Sequence, residues 1–278
     1  MNSHYKDTAK TNIMKLSIIT IAYNNLAGLR KTSMSVLSQT TTDFEWIIID
    51  GASTDGTQEY LCQVEKQWRG KKENMRIISE PDTGIYNAMN KGICHAHGEY
   101  CLFLNSGDYL FSDTVIAEVM EQGLVGDVFA GYVVEEGINR KIAYPSKYVT
   151  PFGLMQRNVP HQAAFIKRSM LEQFGLYSDD LRILSDYEMM LKAAVEGREF
   201  RIVDKQIAMV EPGGISNSQI ERMQQEQDII LRRVLPIGVY ADYKQLQQEL
   251  ANVSEMQQWW QKTQWLYQWY KRLKRLHK

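Results

Sequence analysis

Cysteine is scarce in this sequence of 278 residues. The three that are present, Cys62, Cys94 and Cys101, form no CxxC pair and no even-numbered framework. Such a set argues against a secreted domain held by disulfides and against a structural zinc site. We therefore expect a protein of a reduced, cytoplasmic compartment.

Long apolar runs are also missing from the sequence. No run approaches the roughly 20 residues that a membrane-spanning helix requires. The polar start, residues 1–12, lacks the apolar core of a signal peptide. We expect any contact with a membrane to be peripheral.

Charge is nearly balanced over the whole chain, at a net −1, but it is unevenly distributed. Between Trp259 and Lys278 there are six Lys or Arg residues and no acid, so the remainder of the chain carries −7. An acidic body is a poor general binder of nucleic acid, and we expect no such partner. With 44% hydrophobic and 23% charged residues, the chain has the composition of a globular protein.

Strand and helix patterns alternate along the first part of the chain. They predict the order βαβαβαβ, and therefore an α/β fold with a mainly parallel sheet and right-handed crossovers. We also predict an N-terminal extension (1–14), the α/β domain (15–216) and a Gln-rich helical extension (217–278). The predicted elements are strands at Leu16–Ala22, Trp46–Ile49, Met75–Ser79, Tyr100–Leu104, Val128–Val134, Ala163–Lys167 and Arg201–Val203, and helices at Leu26–Ser38, Gln58–Trp68, Ile85–Ala96 and Asp186–Glu196.

The fingerprints of two common nucleotide-binding folds, GxGxxG and GxxxxGK[ST], are absent, and AYNN follows the first strand instead. Two other strands end in turns of small residues that carry acids. One leads from Ile47–Ile49 into Asp50, and the other leads from Leu102–Leu104 into Asn105 and Asp108. Ligands bind outside the carboxyl ends of strands in open α/β sheets. The turns therefore predict a nucleotide site and a site for Mg²⁺ or Mn²⁺.

Five motifs follow one another along the chain: LSIITIAYNN, IIIDGASTDGT, EPDTGIYNAMNKGI, LFLNSGDYL and LSDYEMML. Their order is typical of the family 2 glycosyltransferases. The chain resembles this family from about Lys15 to Ser216, and it looks most like the bacterial branch that builds capsule, exopolysaccharide (the colanic-acid type) or lipopolysaccharide. The resemblance implies a GT-A fold and inverting, metal-assisted transfer from a nucleotide-diphosphate sugar, with a UDP-sugar favoured, to a glycan or lipid-linked acceptor.

The resemblance implies that the first three motifs bind the nucleotide. Asp50 would accept a hydrogen bond from an imide N–H such as that of uracil, although an acid also suits a turn that starts a helix. Tyr23 could equally be a core aromatic, and Asp82 could be only a helix cap. A solvated helix face explains Asn87 and Lys91 nearly as well. The expected nucleotide-binding residues are Ala22, Tyr23, Asn25, Asp50, Asp82, Asn87 and Lys91.

The metal motif departs from the pattern of the family. The usual signature is DxD or DSDD, whereas Asn105-Ser106-Gly107-Asp108 stands here, so Gly107 replaces the aspartate most often assigned to the metal. We expect Asp108 to be the principal ligand of Mg²⁺ or Mn²⁺ and Asn105 to be a weaker one. Substrate phosphates would complete the coordination. The alternative is a turn acid that binds no metal.

Asp186 is the expected catalytic base. It lies in the first turn of a predicted helix, where the helix dipole also favours a carboxylate. Family members carry an Asp at this point that takes the proton from the acceptor hydroxyl, and Glu188 could assist it. One carboxylate suffices, because a metal-bound nucleoside diphosphate leaves without an acid. His161 and Gln162 match a family segment at the active site and are expected to contact acceptor or diphosphate, although a lone His is more often structural.

The C-terminal part carries two further hypotheses. Gly214–Ser216 is expected to close over the donor. The tail runs from Trp259 to Lys278. On a helix, one broad face would carry Leu266, Trp269, Tyr270, Leu273 and Leu276, and another would carry Lys271, Lys274, Arg275 and Lys278. This pattern favours adsorption to anionic lipid on the inner face of the cytoplasmic membrane. Packing on the domain or on a second subunit is the alternative, which leaves a homo-oligomer open.

Two functions of different classes fit the sequence. The first is the transferase, which the retention of Asp50, Asp108 and Asp186 favours. The second is a non-catalytic nucleotide-sugar-binding or assembly protein on the same fold, which Gly107 makes conceivable. The sugar, the acceptor and the linkage are not readable from these motifs.

Overall fold

The computed structural model describes residues 14–212 and 219–276, without the side chains of residue 256 and residues 258–276. Residues 1–13 and the expected closing loop at Gly214–Ser216 lie outside the described residues. The chain forms two compact units, one that ends at Gln227 and one that begins at Asp228. The domain limits at residues 14 and 216 stay predictions.

Strands and helices alternate through the first unit. The strands are β1 (Leu16–Ala22), β2 (Glu45–Asp50), β3 (Met75–Ser79), β4 (Tyr100–Phe103), β5 (Tyr109–Leu110), β6 (Val128–Glu135), β7 (Arg140–Ile142), β8 (Ala164–Lys167) and β9 (Phe200–Val210). The helices are α1 (Leu26–Leu37), α2 (Thr57–Gln67), α3 (Ile85–His95), α4 (Val115–Gln122), α5 (Pro151–Gln156), α6 (Arg168–Gln173), α7 (Ser185–Val195), α8 (Ile220–Val234) and α9 (Ile237–Leu276).

The helix α9 has 40 residues. Neither it nor any other helix in the described ranges combines the length and the hydropathy needed to cross a bilayer.

The sheet has a parallel half and a mixed half. The strands β3, β2, β1 and β4 lie side by side in that order, and all of their pairings are parallel. Beyond β4 the order continues with β8, β6, β9 and β5, where β8 and β5 run antiparallel to their neighbours and β7 pairs with β6. The predicted α/β fold with a mainly parallel sheet is confirmed, with antiparallel strands added on one side.

The core explains why the first strands were readable from sequence. The strands β1 and β2 are buried along their whole length, as expected for continuous apolar runs covered on both faces. Farther along the sheet, Phe129 of β6 and Phe165 of β8 are paired in register, and their rings meet edge to face with centroids 6.1 Å apart. Each such buried ring contributes about 1.5–3 kcal/mol relative to exposure. This packing stabilises the mixed half of the sheet, which joins the parallel half through the pairing of β8 with β4.

The later strands differ from the sequence prediction. The predicted strand Arg201–Val203 is too short, because β9 extends over Phe200–Val210. The polar residues Asp204, Lys205 and Gln206 interrupt its apolar run, and its pairing with β6 is irregular at that point. The sequence prediction also missed β5, β7, α4, α5 and α6. Four of these elements, β5, β7, α5 and α6, have only two to six residues, which is too short for a clear hydrophobic period.

Candidate active site

The carboxyl ends of β1, β2 and β3 meet at one edge of the sheet. Ala22, Asp50 and Ser79 are the last residues of these strands and lie in register with one another. The chain then returns to the other side of β1 to form β4. This reversal of strand order makes the edge a topological switch point, the place where open α/β sheets bind ligands.

The loops that follow β1 and β4 are joined through Asn25. Its Oδ1 accepts a hydrogen bond from the Gly28 N–H (3.1 Å) and so caps α1. Its Nδ2 donates to the carbonyl oxygen of Ser106 (3.0 Å). Asn25 therefore fixes the loop after β1 to the acidic turn after β4. Both the oxygen and the nitrogen of its side-chain amide form hydrogen bonds within the protein.

Asp50 is fully buried at the end of β2. Its carboxylate accepts hydrogen bonds from the Ser53 N–H (3.2 Å to each oxygen) and from the Ser79 hydroxyl (2.6 Å). A carboxylate offers about four acceptor positions, so a nucleobase N–H would share it with these two donors. Asp50 thus stabilises the turn that follows β2, and its contact with a base stays a prediction.

Gly51 allows a close approach between two of the predicted nucleotide-binding residues. A Cβ at this position would lie 2.5 Å from Asp82 Oδ2 and 3.1 Å from the Tyr23 ring. The Tyr23 side chain is 64% exposed, so it is not a core aromatic. Asp82 Oδ1 accepts from the Gly84 N–H (2.9 Å), at the start of α3. An exposed ring and a carboxylate therefore flank a bare backbone segment, an arrangement that suits a nucleoside.

Asn87 and Lys91 form hydrogen bonds and an ion pair within the protein. Asn87 Oδ1 lies 3.4 Å from the Thr83 N–H, which donates to it at the first turn of α3. Lys91 Nζ donates to the Pro81 carbonyl (2.7 Å) and pairs with Glu80 at 2.8 Å. Both side chains thereby hold the segment that precedes α3, and contact with a donor would have to replace or extend these bonds.

The turn that carries Asn105 and Asp108 is held by Thr32 of α1. The Thr32 hydroxyl accepts a hydrogen bond from the Gly107 N–H (3.0 Å) and donates to the Asp108 carbonyl (2.7 Å). The Asp108 N–H in turn donates to the Asn105 carbonyl (2.9 Å). The turn is therefore anchored to a buried helix position before any ligand binds.

The Asp108 carboxylate has an unusual environment. Burial raises the pKa of Asp108 to about 6, while the positive charge of His161 and a hydrogen bond from Gln162 act in the opposite direction. His161 and Gln162 form the start of the 3₁₀ turn that precedes β8. The structure thus brings these three predicted site residues together.

Asp186 lies at the start of α7 and is 8% exposed. Its Oδ1 accepts from the Tyr86 hydroxyl (2.9 Å), and its Oδ2 accepts from Asn158 Nδ2 (3.2 Å) and lies 3.1 Å from His161 Nδ1. Burial would raise the pKa of Asp186, but the hydrogen bond and charge of His161, together with Tyr86, outweigh it and lower the pKa. Asp186 is therefore anionic at neutral pH.

His161 joins the two acidic parts of the site. Its Nδ1 faces Asp186, and its Nε2 lies 3.4 Å from Asn105 Nδ2. Burial lowers the pKa of His161, but the hydrogen bond and charge of Asp186 and the charge of Asp108 outweigh this effect and raise it. Asp186 and the turn of Asp108 thus face the same imidazole from opposite sides.

Glu188 takes a different position on α7. It is 1% exposed, accepts a hydrogen bond from the Ser178 hydroxyl and lies 3.4 Å from Lys192 Nζ. These contacts bind the loop before α7 to the helix. A role beside Asp186 in proton transfer stays a prediction.

The residues of the turn fit a hard divalent cation. Asn105 Oδ1 is enclosed and has no hydrogen-bond partner among the described residues, although an amide oxygen in such a place normally has one. Within the described part of the chain, no three His, Cys, Asp or Glu side chains form a metal site by themselves. A cation at Asp108 and Asn105 would therefore take further ligands from a bound diphosphate, as Mg²⁺ and Mn²⁺ commonly do.

Sequence reasoning missed several residues that build the site. Tyr86 and Asn158 hold Asp186, Thr32 holds the acidic turn, and Ser79 holds Asp50. Tyr86 lies within the motif EPDTGIYNAMNKGI, so the sequence did contain a signal that it belongs to the site. Thr32 is an ordinary helix residue, and nothing in its local sequence marks it.

The chain is similar to known proteins, both by a family model and by overall sequence. The family model described as "Glycosyl transferase family 2" matches residues 17–174, more than half of the chain. An uncharacterised glycosyltransferase of Mycobacterium tuberculosis is 34% identical over 195 residues, which cover 66% of this chain and 71% of the relative. A "PGL/p-HBAD biosynthesis glycosyltransferase" of Mycobacterium bovis is 29% identical over 213 residues, with 74% and 80% covered.

Solved structures share the fold at low sequence identity. Residues 1–349 of S. aureus TarS in complex with UDP-GlcNAc match with a TM-score of 0.65 and 18% identity, covering 82% of this chain and 69% of that one. The mannosyltransferase PcManGT of Pyrobaculum calidifontis, in complex with GDP-Man and Mn²⁺, matches with a TM-score of 0.62 and 18% identity, covering 79% and 63%. At such identity the likeness shows the GT-A fold alone.

Proposed function

The chain belongs to glycosyltransferase family 2, and on this premise we propose that it transfers a sugar from a nucleotide-diphosphate donor, preferably a UDP-sugar, to a hydroxyl of a glycan or lipid-linked acceptor in cell-surface polysaccharide synthesis. One observation carries the proposal. Asp186 and the turn of Asp108, far apart in sequence, are joined through a single side chain, His161. A base for the acceptor and oxygen ligands for the donor's cation would thereby lie on either side of one imidazole ring.

The donor side of the site is at the switch point of the sheet. Tyr23 and Asp82 flank Gly51, and Asp50 lies buried beside them. The exposed Tyr23 ring would stack on the base, and the carboxylates would bind polar groups of the nucleoside. TarS with UDP-GlcNAc and PcManGT with GDP-Man are proteins of the same fold that bind nucleotide sugars, which supports this class of donor.

The acceptor side depends on Asp186. In the proposed direct displacement, the acceptor oxygen attacks the anomeric carbon, the bond from that carbon to the diphosphate oxygen breaks, and the hydroxyl proton moves to Asp186. The anomeric configuration is inverted. Because the pKa of Asp186 is lowered, its carboxylate is ready to accept the proton at neutral pH. Tyr86 and Asn158 keep the carboxylate in one orientation.

A divalent cation fits the proposal on the donor side. Asp108 and Asn105 would hold Mg²⁺ or Mn²⁺, which when bound supplies positive charge to the leaving diphosphate. His161 and Gln162 lie beside Asp108 and would contact the diphosphate or the acceptor. PcManGT binds Mn²⁺ together with its GDP-sugar, which supports the choice of metal.

We would test the function by calorimetric titration of the full-length protein with UDP, GDP and TDP, with and without Mn²⁺. One nucleotide, expected to be UDP, should bind more tightly in the presence of Mn²⁺. ADP serves as the control nucleotide. If none of the three binds under either condition, the proposed transferase function is wrong.

The variant Gly51→Ala tests whether the nucleotide binds beside Gly51. Its Cβ would meet Asp82 Oδ2 at 2.5 Å, so Asp82 and Tyr23 must move and nucleotide affinity should fall. Gly238→Ala is a matched control, because its Cβ meets nothing within 4 Å. Equal affinity in both variants would place the nucleotide elsewhere.

A further inference from the structure

The turn after β4 has an open position at Gly107. The residue has a φ of +109°, and a Cβ there would lie 3.7 Å from Glu211 Oε2 and 3.9 Å from Asn25 Nδ2, which are ordinary contact distances. The carboxylate of Glu211 thus reaches the place where a side chain at 107 would begin. Glu211 directly follows the end of β9.

The sheet register brings Glu211 to this position. In the antiparallel pairing of β5 and β9, Tyr109 lies opposite Met209 and Leu110 lies opposite Ala208. When this register is continued by two residues on each strand, Gly107 lies opposite Glu211. Side chains of directly opposite residues on one face are close neighbours in antiparallel sheets. The pairing of β5 with β9 therefore brings the segment that contains Glu211 toward the acidic turn.

Lys31 of α1 holds the Glu211 carboxylate by one oxygen. Lys31 Nζ lies 2.5 Å from Glu211 Oε1 and 3.2 Å from Glu136 Oε2. The other oxygen of Glu211, Oε2, is the one nearest to Gly107. Since two carboxylates share one ammonium group, the cluster keeps an excess of negative charge.

We propose that Glu211 supplies the carboxylate that Gly107 lacks, so that Asp108 and Glu211 together bind the divalent cation of the donor complex. Asn105 gives a second, independent indication that a ligand binds here. Its Oδ1 is enclosed and has no hydrogen-bond partner in the described part of the chain. Carboxylate and amide oxygens are the donors that Mg²⁺ and Mn²⁺ take. The inference rests on the proposed function, since a bound diphosphate completes the coordination.

The test measures Mn²⁺ binding rather than transfer. Electron paramagnetic resonance reports free Mn²⁺ in mixtures of full-length protein and UDP for the wild type, Glu211→Gln and Glu136→Gln. Glu211→Gln should weaken Mn²⁺ binding by at least about 10-fold, the loss typical of a disturbed metal site. Glu136→Gln removes the other partner of Lys31 and should leave Mn²⁺ affinity unchanged. Equal UDP affinity without metal shows that both variants are folded.

Two results would overturn the inference in distinguishable ways. If Glu211→Gln binds Mn²⁺ as the wild type does, Glu211 is no ligand, and the proposed transferase function is unaffected. If both variants lose Mn²⁺ equally, the effect belongs to Lys31 and not to coordination. Failure of the wild type to bind any nucleotide would instead remove the proposed function and the inference with it.

Discussion

Asp186 shows how single residues are tuned in this site. A carboxylate can accept about four hydrogen bonds. The carboxylate of Asp186 already accepts hydrogen bonds from Tyr86 and Asn158, and it also faces His161. Such partners favour the anion at the expense of basicity. The carboxylate is thus always charged near neutral pH, and its contribution depends on position more than on a high pKa.

The variant Asp186→Asn tests the proposed base. It keeps the size of the side chain but cannot take a proton, so the transfer rate should fall by about 10²- to 10⁴-fold. Donor affinity should be unchanged, because the proposed contacts with the nucleotide are made by other residues, Tyr23, Asp50 and Asp82. Single-turnover sugar transfer and UDP calorimetry measure the two effects. Glu196→Gln, an exposed change just after α7, is the matched control, and transfer by Asp186→Asn at the wild-type rate would refute the assignment.

Glu45 is a buried acid outside the site and affects stability. Its carboxylate accepts hydrogen bonds from the Ser17 hydroxyl (2.5 Å) and from the N–H groups of His97 (2.5 Å) and Gly98 (2.9 Å). Burial alone would raise the pKa of Glu45, but these hydrogen bonds outweigh it and lower the pKa below 4.5. The charged form is therefore the one that stabilises the fold.

We predict that Glu45→Gln lowers the free energy of unfolding by about 1–3 kcal/mol at neutral pH. The pKa of Glu45 is lower in the folded state, so its contribution is present above pH 4.5 and is lost as the pH falls through the folded-state value. Urea unfolding should thus show a gap between variant and wild type that closes in acid. Exposed Glu65→Gln is the control. A gap that is independent of pH would contradict this account.

At the scale of elements, α8 supports the segment that leads into α7. Glu226 of α8 is 5% exposed, and its carboxylate accepts from the N–H groups of Arg182 (2.9 Å), Ile183 (2.9 Å) and Leu184 (3.1 Å). Asp186 follows two residues after Leu184. The helix that sequence composition marked as an extension therefore sets the position of the proposed base.

The variant Glu226→Gln should reduce kcat more than donor affinity. Gln can accept with only one oxygen, so at least one buried N–H loses its partner, at a cost of about 1–3 kcal/mol. Transfer kinetics and UDP titration separate the two effects, and the melting temperature reports the stability loss. Glu221→Gln, on the exposed side of α8, is the control. Unchanged kcat alongside a lowered melting temperature would limit Glu226 to a role in stability.

The contrast between β2 and β9 shows which elements sequence can predict. The strand β2 is buried throughout, so its apolar run is visible in one short window. The strand β9 is half exposed and pairs irregularly with β6, so only a fragment of it has a strand-like sequence. Yet β9 brings Glu211 to Gly107, which means that the less predictable strand carries a proposed part of the site.

For the whole molecule, the remaining prediction concerns the C-terminal tail. The backbone of α9 is helical as far as Leu276, and the tail from Trp259 to Lys278 carries six basic residues. We propose that this tail binds peripherally to anionic lipid. Each basic residue near such a surface adds about 1 kcal/mol of binding free energy.

Cosedimentation with vesicles checks this proposal. Full-length protein should bind vesicles that contain an anionic lipid and should not bind purely zwitterionic ones. Changing Lys271, Arg272, Lys274 and Arg275 to Gln should abolish this binding while leaving UDP affinity intact. Deletion of residues 259–278 should have the same effect as the charge variant. Binding that survives both changes would show that the tail is not the lipid-binding element.

The sequence by itself determined the parallel half of the sheet and the polar ends of its strands. These features are local, because a continuous apolar run followed by acids and small residues specifies a buried strand and its turn. Only the tertiary structure decided which side chains meet. Tyr86 and Asn158 reach Asp186 from other segments, and Glu211 lies near Gly107 through the pairing of β5 with β9. Such contacts depend on strand order and register, which no short window of sequence contains.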